Sequence, residues 1–166
     1  MPSKTFPPKP RSIAAKKTIS IVASLYNEDL VNSLLDSTVH GLRTLIPGIT
    51  VNIYRVPGAF EIPVCVKKLI ESNNVDVMIA LGVIIKGETA HAELVGSSVT
   101  QSLQEIATNF NTPIIHEVLL TENREQAIER CDGDKNRGKE AAKAAATMSE
   151  LFSSLDAANK RNPNLS

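Results

Sequence analysis

The sequence predicts an α/β fold, a three-layer αβα sandwich with helices on both faces of a four-stranded parallel sheet. Three observations point there. Apolar runs of strand length alternate with stretches whose apolar residues recur at helical spacing, the signature of βαβ units. The longest apolar run, VDVMIALGVII at 75–85, does not alternate, as expected of a strand covered on both faces. The chain has 166 residues, enough for one domain with a real core and too few for two.

The elements follow in order. Residues 1–16, MPSKTFPPKPRSIAAK, carry four prolines and several cations and read as an extended arm. TISIVAS (18–24) is the first strand. Leu30, Val31, Leu34, Leu35, Val39 and Leu42 then mark a helix that Pro47-Gly48 closes. ITVNIYRV (49–56) alternates as a second strand, and Ile62, Val66, Leu69 and Ile70 mark the next helix. The run 75–85 is the third strand, followed by a helix through Val95, Val99, Leu103 and Ile106. TPIIHEVLL (112–120) is the fourth strand, and 123–131 a short helix. From Lys139 onward Ala142, Ala145, Met148 and Phe152 give a last helix, strongly favoured by its alanines. DAANKRNPNLS (156–166) is polar, lacks a helical pattern and is expected to fray. The folded domain is thus 17–153, with a polar tail from 154. Alternating strands and helices imply parallel βαβ units with right-handed crossovers, in a flavodoxin-like arrangement. No internal repeat is visible.

Composition excludes several function classes. Hydrophobic content is 42%, and 18 Lys and Arg balance 18 Asp and Glu. A nucleic-acid binder shows a basic excess or stripe, which is missing here. No apolar run approaches a membrane span, and no apolar stretch follows the basic start as in a signal peptide, so the cytoplasm is expected. Cys65 and Cys131 stand far apart, and neither belongs to a C-x-x-C pair, so no metal or redox motif is expected. They read as a small apolar filler and a partly exposed thiol.

Open α/β sheets bind ligands beyond the carboxyl ends of their strands. Four segments converge there: Leu25-Tyr26-Asn27, VPGAFEIP (56–63), KGETAH (86–91) and Thr121-Glu122-Asn123. Gly87-Glu88-Thr89 precede a helix whose first turn offers free N–H groups to an anion. Thr89 either donates to that anion or only caps the helix. His91, in the first turn, sits where a helix start favours the neutral imidazole, a proton acceptor. The alternative is a surface histidine without a role. Gly58 permits a tight turn or close ligand approach. Phe60 is either a binding or a core residue, Glu61 a ligand or a first-turn charge, and Tyr26 a stacking platform or an ordinary half-buried tyrosine. His40 reads as a plain surface residue and His116 as a core histidine with a satisfied ring.

Taken together, VPGAFEIP, LGVIIKGETAHAELV (81–95) and TENREQAIERC (121–131) closely resemble lumazine synthases of riboflavin biosynthesis, over about Lys17 to Leu151. The resemblance implies a transferase that needs no cofactor or metal. It would condense 5-amino-6-(D-ribitylamino)uracil with 3,4-dihydroxy-2-butanone 4-phosphate to give 6,7-dimethyl-8-(D-ribityl)lumazine, phosphate and water.

The same resemblance assigns roles. Tyr26 stacks on the pyrimidine. Ala59, Phe60 and Glu61 bind the ring edge and the ribityl hydroxyls, and the backbones of Ile84 and Ile85 face the uracil. Glu88, through its N–H, and Thr89 bind phosphate. His91 transfers protons and Arg130 grips phosphate. Arg137 stands where many members carry lysine. His116-Glu117 replace a common Phe-Gly, whose aromatic comes from the next subunit and covers the pyrimidine, and Leu25 replaces a common arginine. The family forms pentamers with sites between subunits, some packed as capsids of twelve pentamers, 60 subunits in all. The short link CDGDKNRG (131–138) is of the kind that accompanies capsids. Riboflavin synthase is the expected partner; nucleic acid and membrane are not. Two rivals stay open: an aldolase-like enzyme using Lys86 as a Schiff-base amine, and a non-catalytic flavin or lumazine carrier on the same fold.

Overall fold

The computed structural model of the chain describes residues 16–161. The arm read over 1–16 lies outside them except for Lys16. Four strands, β1 (Thr18–Ser24), β2 (Thr50–Val56), β3 (Val77–Ile85) and β4 (Ile114–Thr121), pair in the order β2-β1-β3-β4. Every pairing is parallel, with Ile19 opposite both Val51 and Val77, and Ala80 opposite His116. Five helices connect and follow them: α1 (Glu28–Leu45), α2 (Ile62–Ser72), α3 (His91–Phe110), α4 (Arg124–Cys131) and α5 (Arg137–Arg161).

The central strands divide their side chains by the period of two. Ile19, Ile21 and Ala23 of β1 and Val77, Ile79, Leu81 and Val83 of β3 face α1, α4 and α5. Val22, Met78 and Ala80 face α2 and α3, meeting Ile62, Val66, Val99 and Leu103. Both faces are covered, which is why β3 reads as an unbroken apolar run and β1 as a mostly apolar one in which Ser20 and Ser24 are buried too. Leu34 and Leu42 of α1 are fully buried. Burial of such a side chain contributes about 1.5–3 kcal/mol.

α1 and α5 approach closely through small residues. A Cβ on Gly138 would stand 2.6 Å from the Leu34 carbonyl oxygen, and one on Gly41 2.7 Å from Ala142 Cβ. Ala141, Ala142, Ala145 and Ala146 are all fully buried. The alanine run therefore serves packing as well as helix propensity.

α5 differs from the sequence reading at its end. It stays helical to Arg161, six residues into the segment 156–166 that was expected to fray. Residues 156–161 are all exposed. A helix with no face to bury shows no apolar period, so its pattern is silent while Ala157, Ala158 and Lys160 still favour the helix.

Candidate active site

The order β2-β1-β3-β4 puts the topological switch between β1 and β3, whose connections leave in opposite directions, and ligand crevices form at that point. The loops there are tied together by backbone and side-chain bonds. Leu25 N–H donates to Val56 O at 2.8 Å and Tyr26 N–H to Pro57 O at 3.1 Å, extending the β1–β2 ladder past the strands. Asn27 takes the left-handed conformation, φ 55°, and its Nδ2 donates to Val83 O at 2.8 Å. Asparagine tolerates that conformation better than most residues. Asn27 thereby pins the loop carrying Tyr26 to the end of β3, a role the sequence reading did not assign. Its only sequence signal is an asparagine between a strand end and a helix start.

A groove of about 400 Å³ opens at the switch. Tyr26, Ala59, Phe60, Glu61, Ile84, Ile85, Thr89 and His91 all line it. Tyr26 is 74% and Phe60 63% exposed, so neither is a core residue in the single chain. Residues 59–61 form a 3-10 turn leading into α2. Glu61 Oε2 accepts the Gly58 N–H at 2.9 Å, which aims the carboxylate back over the turn. Gly58 itself is extended, φ −142°, and any residue adopts that backbone. The backbone therefore does not require glycine there, and the nearest atom to a Cβ at Gly58 would be Glu61 Oε2 at 3.1 Å.

α3 begins at His91 with Ala90 at its N-cap and no side-chain cap. Thr89 Oγ1 accepts the His91 N–H only at 3.4 Å, a weak contact. The first-turn donors and the exposed His91 imidazole thus border the groove. Glu88 sits in the turn between Gly87 and Thr89, and its side chain does not line the groove.

Three predicted site residues lie elsewhere. His116 is in the edge strand β4 on the face toward α3, and its ring is engaged at both nitrogens. Nδ1 accepts the Val118 N–H at 3.2 Å, and Nε2 lies 2.8 Å from Thr100 Oγ1. Thr100 Oγ1 donates to Gly96 O at 2.8 Å, so Nε2 must carry the proton. Burial holds the imidazole below its ordinary range. A larger groove of about 660 Å³ runs along this α3–β4 face, past Thr100, Val118 and Leu120.

Arg130 lies in the last turn of α4, half-buried, and makes no hydrogen bond or ion pair among the described residues. Arg137 opens α5. Its Nε and Nη2 donate to the two oxygens of Glu117, at 3.1 and 3.3 Å, and its Nη1 lies 2.6 Å from Glu140. Burial pushes the Glu117 carboxyl up, and Arg137 brings it only part of the way back. Burial also opposes the charge on Arg137, but the hydrogen bonds and charges of Glu117 and Glu140 outweigh it.

Lys86 bridges the rim. Its N–H donates to Thr121 O at 2.9 Å, and its Nζ meets Glu122 at 2.5 Å and Glu93 at 3.5 Å. The hydrogen bond to Glu122 leads in raising its ammonium above the ordinary lysine value. A Schiff-base lysine needs the opposite shift. Among the described residues no group of three or more His, Cys, Asp or Glu is placed to hold a metal, and no helix is long and apolar enough to cross a membrane. Cys131 is fully buried and Cys65 partly so, the reverse of the order, filler then exposed thiol, read from the sequence, and burial pushes the Cys131 thiol up to about 11.

The family model of 6,7-dimethyl-8-ribityllumazine synthase matches residues 16–153, nearly all of the described chain. The chain belongs to that family. Relatives named 6,7-dimethyl-8-ribityllumazine synthase agree with this. Those of Burkholderia mallei (strain SAVP1) and Burkholderia pseudomallei (strain K96243) are 45% identical over 139 residues, covering 83% of this chain and 79% of the relative. That of Burkholderia multivorans (strain ATCC 17616 / 249) is 44% identical over the same length. Every segment discussed above, from β1 to the head of α5, lies inside the lumazine synthase match.

Proposed function

We propose that this chain is a lumazine synthase that condenses 5-amino-6-(D-ribitylamino)uracil with 3,4-dihydroxy-2-butanone 4-phosphate, releasing phosphate and water. The observation that carries the reading is the groove at the β1–β3 switch, where an exposed aromatic, a carboxylate, a helix start and an imidazole share about 400 Å³ within the family match. Tyr26 stacks on the pyrimidine. Ala59, Phe60, Glu61, Ile84 and Ile85 hold its edge and the ribityl hydroxyls. Thr89 and the N–H of Glu88 bind phosphate at the start of α3.

The chemistry asks mainly for placement. The 5-amino group adds to the ketone, water leaves to give the imine, phosphate is eliminated, and the ribityl-bearing amine adds to the remaining carbonyl and loses a second water to close the ring. Alignment of two reactants is worth about 7–11 kcal/mol in good intramolecular models. His91 moves protons between amine, carbonyl and carbinol, a contribution on the order of a hundred- to ten-thousand-fold. Arg130 stabilises the departing phosphate.

His116, Arg130 and Arg137 do not line the groove of their own chain. They act in the groove of a neighbouring subunit, in a homo-oligomer that is a pentamer or a 60-subunit capsid. Phe60, Val64 and Leu94, each more than 60% exposed, supply apolar surface for such contacts. Sedimentation of the purified protein separates the two assemblies. The cytoplasm is the proposed location, and riboflavin synthase, which consumes the product, the proposed partner.

The Schiff-base alternative is disfavoured by the ion pairs that keep Lys86 protonated. The carrier alternative leaves the exposed imidazole in the groove without a purpose. Mixing the protein with both substrates tests the proposal. Lumazine fluorescence should appear with one phosphate released per lumazine. Tight lumazine binding without turnover would identify a carrier instead.

A further inference from the structure

Glu117 is 5% exposed, inside β4 and four residues before its end at Thr121. A carboxylate at that depth is costly unless paired. Its two oxygens each take one donor from the Nε edge of Arg137, the side-on bidentate fork. Glu140 takes Nη1 from another side, and the side chain remains 41% exposed. The backbone here is anchored separately. Asn136 Oδ1 accepts the Gly138 N–H at 2.8 Å, and Asn136 Nδ2 donates to Ser37 Oγ at 2.8 Å. Both ends of Arg137, its Cα and its guanidinium plane, are therefore held before any ligand arrives.

We propose that Glu117 is a positioning residue: it clamps Arg137 so that the open edge of the guanidinium meets the phosphorylated ketone in the adjoining subunit's groove already oriented. The inference rests on the reading of Arg137 as substrate-binding. A lysine at this position would search its rotamers; a clamped arginine has less ordering left to lose on binding. Glu117 thus links two departures from the family pattern, a glutamate where glycine is common and an arginine where lysine is common. The pair acts as a unit.

Steady-state kinetics of the full-length assembly test this with Glu117→Ala, Glu117→Gln, Arg137→Ala and the double variant Glu117→Ala/Arg137→Ala. Glu117→Ala should raise KM for the butanone phosphate on the order of tenfold, with KM for the uracil substrate and kcat within about twofold. Glu117→Gln, which keeps one acceptor, should recover part of that loss. The double variant should be no worse than Arg137→Ala alone. Should Arg137→Ala raise that KM while neither Glu117 variant does, the positioning role is overturned and the substrate role of Arg137 stands. If Arg137→Ala changes nothing, both fall. If Glu117→Ala costs as much in the Arg137→Ala background as in the wild type, Glu117 is merely structural. Where Glu117→Ala does not fold, Glu117→Gln carries the comparison.

Discussion

Thr100 on α3 and His116 on β4 are joined side chain to side chain, Oγ1 to Nε2 at 2.8 Å, while His116 Nδ1 accepts the Val118 N–H. The ring is neutral, with the proton on Nε2. Long-range ¹⁵N NMR should find Nδ1 unprotonated and titration below the ordinary histidine value of about 6.5. The unfolded imidazole takes a proton first as pH falls, so stability present above about 6.5 declines below it, toward the lowered folded value.

Glu117 and Arg137 set a second pH dependence. Arg137→Ala leaves a buried carboxylate without its counter-charge. The usual cost of breaking a buried pair is about 3–5 kcal/mol, and solvent around the partly exposed arginine reduces it to about 1–2. Glu117 already has a raised folded value, and losing Arg137 raises it further. The deficit is therefore small below the unfolded carboxyl value and grows as pH rises through the folded one. Denaturant midpoints of variant and wild type, compared near pH 4.5 and pH 7.5, should diverge at the higher pH.

Gly138→Ala tests the α1–α5 contact. Its Cβ would lie 2.6 Å from the Leu34 carbonyl oxygen and 2.8 Å from Ser37 Cβ, and backbone on a packed helix cannot yield cheaply. The expected loss is about 1–3 kcal/mol, read as a lower Tm. Gly87→Ala, which meets nothing within 4 Å, should leave stability unchanged.

Much of this molecule is legible in the sequence because its signals are local. The run 75–85 encodes a strand with two covered faces, and the spacing Leu30, Val31, Leu34, Leu35 encodes the buried face of α1. The groove residues follow from where the strands end: the loop after each parallel strand must reach one rim. What the chain does not announce depends on partners distant in sequence. Asn27 reaches Val83, Glu117 reaches Arg137, and Gly138 touches Leu34. No period or motif links those positions. The end of α5 is silent in the sequence for the converse reason, since an exposed helix buries nothing and leaves no stripe.

Lys86 should prove dispensable as a nucleophile. Its ammonium is held by Glu122 and Glu93 at the rim. Borohydride treatment in the presence of the butanone phosphate should trap no adduct on it, and mass spectrometry of the intact chain reads this directly. Lys86→Met should retain turnover within about tenfold, since exposed ion pairs contribute about 0.2–1 kcal/mol each.

If His91 of one subunit and Arg130 of another act on the same phosphorylated ketone, a variant lacking either should be slow alone and the two should complement each other. His91→Ala and Arg130→Ala, each assembled alone, should both turn over slowly, His91→Ala by on the order of a hundred- to ten-thousand-fold. Co-assembly of the two variants tests the sharing. Random mixing completes about one interface in four, so turnover should recover to about a quarter of wild type. Recovery no greater than the average of the two separate variants would show that the two side chains do not share a substrate across subunits.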